Sequence, residues 1–154
     1  MNAEQLNFIT HTFPSLIENA EPQIPAKWGK MNIQQMLEHV TQFFKLSTGK
    51  LALPYIQNPE HADKLKAFLY SNKEFRENTQ APEHIVPKEP LPVYHSTYHK
   101  AVDALKEEIN LFKQQSTKEG VIGTHPVFGP LIFNEWVMLH YKHVLHHSKQ
   151  FNLI

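Results

Sequence analysis

At 154 residues the chain is long enough for one domain that buries a sizeable core and too short for two comfortable ones. Fifteen basic and fifteen acidic residues cancel, and Arg76 is the single arginine, so the chain carries no electrostatic footprint for nucleic acid or an anionic membrane. The absence of cysteine excludes disulfides, thiolate ligands and cysteine nucleophiles, and leaves nitrogen and oxygen as the donors for any site.

In chain order, Met1-Asn2-Ala3-Glu4-Gln5 lacks a basic stretch followed by an apolar one, and no apolar run approaches the ~20 residues of a membrane span. A soluble cytoplasmic protein is expected, with residues 1–154 forming a single domain. Leu6, Ile9, Phe13, Leu16 and Ile17 recur at helical spacing, and Pro14 is expected to kink or split that helix. Glu21 to Ala26 reads as a linker. Asn32 with Gln35 three positions on makes an amide capping box for a second helix, whose apolar positions Ile33, Met36, Leu37, Val40, Phe43 and Phe44 run to about Leu46. His39 lies on or beside that apolar face, while Glu38, about 100° away, is expected to face out.

Asn58-Pro59 reads as the start of a shorter helix carrying Leu65, Phe68 and Leu69. Between Ala81 and Val93, Pro82, Pro87, Pro90 and Pro92 forbid regular structure and predict a long crossover laid over the surface. Ser96 is expected to cap a third long helix, with Tyr98, Ala101, Val102, Leu105, Ile109 and Phe112 inward and Lys106, Glu107, Glu108 and Lys113 facing water. His125 to Pro130 is expected to be a tight loop, with Pro130 in the first turn of the last helix. No strand is expected. The elements add up to an all-α chain, a four-helix bundle with a long crossover between the second and third main helices plus a short extra helix.

The last helix carries the chemistry. His140, His143 and His147 fall within an arc of about 60° at ~100° per residue, among Ile132, Phe133, Trp136, Val137, Val144 and Phe151. Asn134, Glu135, Lys142, Ser148 and Lys149 take the other side, and His146 sits near the polar boundary, where solvent is its expected neighbour. Buried imidazoles need partners for their ring nitrogens, and one ion supplies a partner for several at once. His143 and His147 are one turn apart on one face, and His39 is the third inward histidine. Three neutral imidazoles with an open position suit a catalytic zinc or a similar divalent ion, with nickel, iron and manganese also admitted by the donor set. For His140 the readings are a fourth ligand, a supporting group, a proton shuttle, or a core histidine bonded to a nearby acceptor.

Trp28 to His39, His125-Pro126-Val127-Phe128-Gly129, Glu135-Trp136, and His143 to Phe151 together resemble the DinB-like superfamily of helical bundles, also called YfiT-like, in a branch defined only as a domain of unknown function. The resemblance covers nearly the whole chain. It implies one divalent metal ion, zinc or nickel foremost, held by His39, His143 and His147, and a Gln150 that packs the last turn or lines the site. It further implies a thiol S-transferase type of activity that joins a low-molecular-weight thiol to a small electrophile, and homodimers as one form of assembly. A metal-dependent hydrolase using an activated water is the alternative, and a non-catalytic metal-binding structural or stress module a second. No G-x-S-x-G elbow, phosphate-cradling glycine loop or H-E-x-x-H is present.

Overall fold

Asn2 opens the first helix by accepting from the backbone N–H groups of Glu4 and Gln5. In the computed structural model, which describes residues 2–56 and 58–154 and Pro59 by its backbone alone, that helix runs as α1 (Ala3–Asn7), a π-helical turn (Phe8–Thr12) and α2 (Phe13–Glu18). Pro14 explains the irregularity. Its nitrogen has no hydrogen to offer the Thr10 carbonyl, and its ring crowds that carbonyl. The turn ahead of it widens, with the Phe13 N–H reaching back to Phe8. The expected break is thus a widened turn, and it keeps Ile9, Phe13 and Ile17 fully buried together.

α3 (Ile33–Ser47) begins at the anticipated capping box: Gln35 N–H donates to Asn32 Oδ1 at 2.8 Å and Asn32 N–H to Gln35 Oε1 at 2.9 Å. α4 (Pro59–Tyr70) follows Asn58, and α5 (Tyr98–Gln114) follows Thr97. Thr97, rather than the expected Ser96, caps α5 by accepting from Lys100 N–H at 3.2 Å, and Ser96 Oγ receives the Lys100 ammonium instead.

Two expectations near residue 130 are corrected. Residues 121–132 form a hairpin of β1 (Val121–His125) and β2 (Gly129–Ile132), antiparallel, with Gly123 opposite Leu131 and His125 opposite Gly129. Pro130 therefore sits in a strand, on an exposed position where its missing N–H costs nothing, and α6 (Phe133–Gln150) starts three residues later. A two-stranded ribbon is marginal alone. This one is docked on α3, where Gly123 lies so close to the Leu46 carbonyl that a Cβ would come within 2.9 Å of it. The described chain is accordingly mostly helical with one small sheet, and no described helix is long and apolar enough to cross a membrane.

α3 lies along α5, and α6 is packed by α1, the π-helical turn, α2, α3 and α4. Because so much of α6 is covered, its supposed solvent side is not one: Glu135, Lys142 and Ser148 are buried. Glu135 accepts from Ile132 N–H at 3.0 Å and Tyr70 OH at 3.1 Å and pairs with Lys66, tying α4 to the start of α6. Lys142 donates to the Ser71 and Lys73 carbonyls at 2.7 and 2.5 Å, and Ser148 to the Val144 carbonyl at 2.8 Å. Glu108 on α5 is likewise buried rather than facing water, and it pairs with Lys50 at 2.6 Å. Glu38, expected to face out, is half-buried and accepts from the backbone N–H groups of Tyr94 and His95 at 2.7 and 2.9 Å, which clips the end of the crossover to α3.

The end of α6 is fixed twice. Asn152 at φ 52° stands in the left-handed position, with Leu153 N–H on the Ser148 carbonyl and Asn152 N–H on that of Lys149, the two bonds of a Schellman motif. From the other side, Lys27 N–H donates to the Gln150 carbonyl at 2.7 Å.

Candidate metal centre

His39 comes from the middle of α3 and His143 and His147 from the last two turns of α6, and the three rings meet where the helices touch. Nε2 of His143 lies 2.9 Å from Nε2 of His39 and 3.0 Å from Nε2 of His147. One ligand atom from each of the three lies within 4.8 Å of the others, close enough to hold a metal ion.

The tautomers follow from the surroundings. Gln150 Nε2 donates to the Trp28 carbonyl at 2.9 Å, so its Oε1 is left as an acceptor for His147 Nδ1 at 2.7 Å. His147 must then carry its proton on Nδ1 and aim a lone pair from Nε2 at His143. Burial, reinforced by the neighbouring imidazoles, holds His143 and His147 well below the ordinary histidine value, and burial brings His39 down to about 4. All three rings are neutral near pH 7. A single proton on His143 Nε2 can make one straight hydrogen bond, to His147 or to His39, and leaves the other short contact without a bonding proton. His143 Nδ1 is buried without a partner in either case.

One cation between the three Nε2 atoms removes that conflict. Zinc bonded to imidazole at ~2.0–2.1 Å puts tetrahedral neighbours about 3.3 Å apart, which the present 2.9 and 3.0 Å separations reach by opening a few tenths of an ångström. The donor set, its neutrality and the support of His147 by Gln150 all fit a divalent ion.

The three rings line a cleft of about 1070 Å³. Its other walls are Trp28 to Met31 from the linker, Phe43 of α3, Phe68 of α4, the crossover from Lys73 to Pro90, and the hairpin tip at His125, Val127 and Phe128. Glu74 is a carboxylate of this lining, and Lys149 engages it at 2.5 Å. The crossover, expected to be a surface strap, is the wall facing the histidines, with Phe75, Ile85 and Val86 half-buried against the cleft.

His140 does not join the other three. Its ring is fully buried, stacked on Phe44 at 3.8 Å and 4°, with Nε2 2.8 Å from Ser47 Oγ. Ser47 donates its own hydrogen to the Phe44 carbonyl at 2.9 Å, so His140 Nε2 is the donor and Nδ1 is left without a partner. This is the core-histidine reading. His146, for which solvent was the expected neighbour, is half-buried on the cleft wall between Trp28 and Phe75, with ring centroids 5.4 and 6.1 Å away.

The sequence gives no role to the backbone carbonyl of Trp28, which carries no periodic signal; of the residues it offers as possible pocket donors, Tyr98, His99, His125 and His140, the cleft is lined by His125, while Tyr98 bonds the Ile17 carbonyl and His140 bonds Ser47. Gly29 did carry one clue, as a glycine beside the linker. Its φ of 81° and the 2.8 Å approach of Gln150 Nε2 to the place of a Cβ show why a side chain is not accommodated there. Comparison with protein-family models, curated proteins and solved structures finds no match to this chain.

Proposed function

We propose that the chain is a divalent-metal-dependent enzyme of the DinB-like type, in which the first helical run, α3, α5 and α6 act as a four-helix bundle with a crossover and zinc or nickel is held by His39, His143 and His147. The observation that carries the reading is the convergence of three neutral Nε2 atoms at the wall of a large cleft. A bound divalent ion in such a site supplies Lewis acidity, which lowers the pKa of a thiol or water that reaches it.

The reaction we favour is transfer of a low-molecular-weight thiol to a small electrophile. Its support is the set of groups that touch the histidines: among the described residues, their side-chain hydrogen bonds are to one another and to Gln150, and none is to a carboxylate. With no carboxylate on the rings to act as base, a thiol is the easier nucleophile to generate, because its free pKa of about 8.5 is already far below that of water and on binding it would release its proton to solvent. His147 is oriented by Gln150, and Phe43 packs on His143 at 4.2 Å.

Metal analysis of untagged protein tests the ligands: His143→Ala and His147→Ala should each abolish stoichiometric metal, and unchanged content in both would refute the assignment. Incubation with a panel of thiols and monochlorobimane tests the reaction. Metal-dependent loss of free thiol is expected. Ester cleavage without thiol would instead favour the hydrolase, and a metalated protein that turns over nothing but melts far lower after His39→Ala would favour a structural clip.

A further inference from the structure

His125 stands at the hairpin tip, 5.2 Å from Phe43 between ring centroids, and Phe43 is the ring packed on His143. Its Nδ1 accepts two backbone hydrogen bonds, from Val127 N–H at 3.0 Å and Phe128 N–H at 3.1 Å. Pro126, between them and His125, has no N–H to compete. A nitrogen that accepts twice carries no proton, so the hydrogen of this ring is on Nε2. Among the described residues Nε2 finds no acceptor, yet it is not one of the sealed, unpartnered atoms of the interior, and the ring lines the cleft. The cleft is where that hydrogen is left to donate.

We infer that His125 is a fixed, uncharged hydrogen-bond donor that seats the oxygen of an apolar carbonyl compound in the cleft beside the three histidines. This deepens the enzymatic reading above, and rests on it for the identification of the compound as substrate. The acceptor is a neutral oxygen rather than an anion because the ring is boxed by Phe43, Phe128 and Trp136, at 5.2, 5.2 and 5.8 Å, where an uncompensated charge is costly. The cations of the lining, Lys30, Lys73, Arg76 and Lys88, belong to the linker and the crossover instead. The walls, with Trp28, Phe68 and Phe75, suit an aromatic or branched body for the same molecule. Burial holds the imidazole at about 3, so it remains a donor without becoming a cation throughout the neutral range. A donor of this kind strengthens its bond as charge builds on the carbonyl oxygen.

The test uses 2-acetylnaphthalene and its hydrocarbon counterpart 2-ethylnaphthalene, titrated calorimetrically into the chain as purified and after chelation. His125→Asn preserves a short side-chain oxygen for the backbone N–H groups of the hairpin, while its amide N–H groups, on a side chain shorter than the imidazole, stop short of the place of Nε2. It should weaken the ketone about fivefold and leave the hydrocarbon unchanged. Equal effects on both, or none on the ketone, would overturn the inference. Nitrogen-15 spectra of the wild-type histidines keep the test independent of how the variant folds. They should show the Nε2–H tautomer of His125 and a shift on adding the ketone but not the hydrocarbon, and a proton found on Nδ1 would be contrary. Since the chelated chain is included, failure here counts against the donor, while metal-dependent thiol consumption is read separately.

Discussion

Gln150 shows how one amide can fix the tautomer of an imidazole one helical turn away. Its nitrogen is committed to Trp28, its oxygen therefore accepts from His147, and the lone pair of His147 is forced toward His143. Gln150→Leu removes the acceptor but keeps much of the bulk. Metal affinity, measured by competition with a chromogenic chelator, should fall by about 10- to 100-fold, and an unchanged affinity would mean that the ring is oriented by packing alone. The three histidines that converge were legible in the sequence because helical periodicity placed each on or beside an apolar face, where an imidazole needs partners for its ring nitrogens. His140 satisfied the same rule and belongs to the core, since periodicity gives a direction and not a neighbour: Ser47 and Phe44 of α3 are what it meets there.

At the level of elements, the caps and apolar stripes of α3 and α5 could be read directly, whereas the hairpin could not. Its strands are five and four residues long, interrupted by Gly123 and Pro130, and derive their stability from docking rather than from pattern. The buried polar residues of α6 escaped for a related reason. Glu135 and Lys142 are charges that periodicity assigns to water, and α4 with the turn after it covers both. Lys142 makes a further prediction. It lies 4.9 Å over the Phe68 ring and holds the two carbonyls from which the crossover departs. Lys142→Met should cost about 1–3 kcal/mol in chemical denaturation and raise hydrogen exchange over residues 71–76 more than in α5. Uniform exchange along the chain would show that the anchor is not local.

For the molecule as a whole, the number of neutral buried imidazoles sets its response to acid. His39 is brought down to about 4 and His125 to about 3, and His140, His143 and His147 lie well below the ordinary value, in each case foremost through burial. Below ~6.5 the unfolded chain takes up these protons and the folded chain does not. Stability is therefore complete above that pH, and it declines as pH falls, until the folded values are reached. Each group contributes about 1.4 kcal/mol per pH unit, and five remove about 7, against a total of about 5–15 kcal/mol for a domain. Circular dichroism should show unfolding near pH 5, moved lower by saturating zinc, and a fold intact at pH 3.5 would contradict the burial of the rings. The two indoles offer a way to watch this from inside. Trp136 is sealed against His140 at 5.3 Å while Trp28 borders the cleft against His146, so blue-shifted and red-shifted emission report separate places. A protonated imidazole quenches an adjacent indole, so the order in which the two bands dim would reveal whether acid enters through the cleft or only when the core gives way.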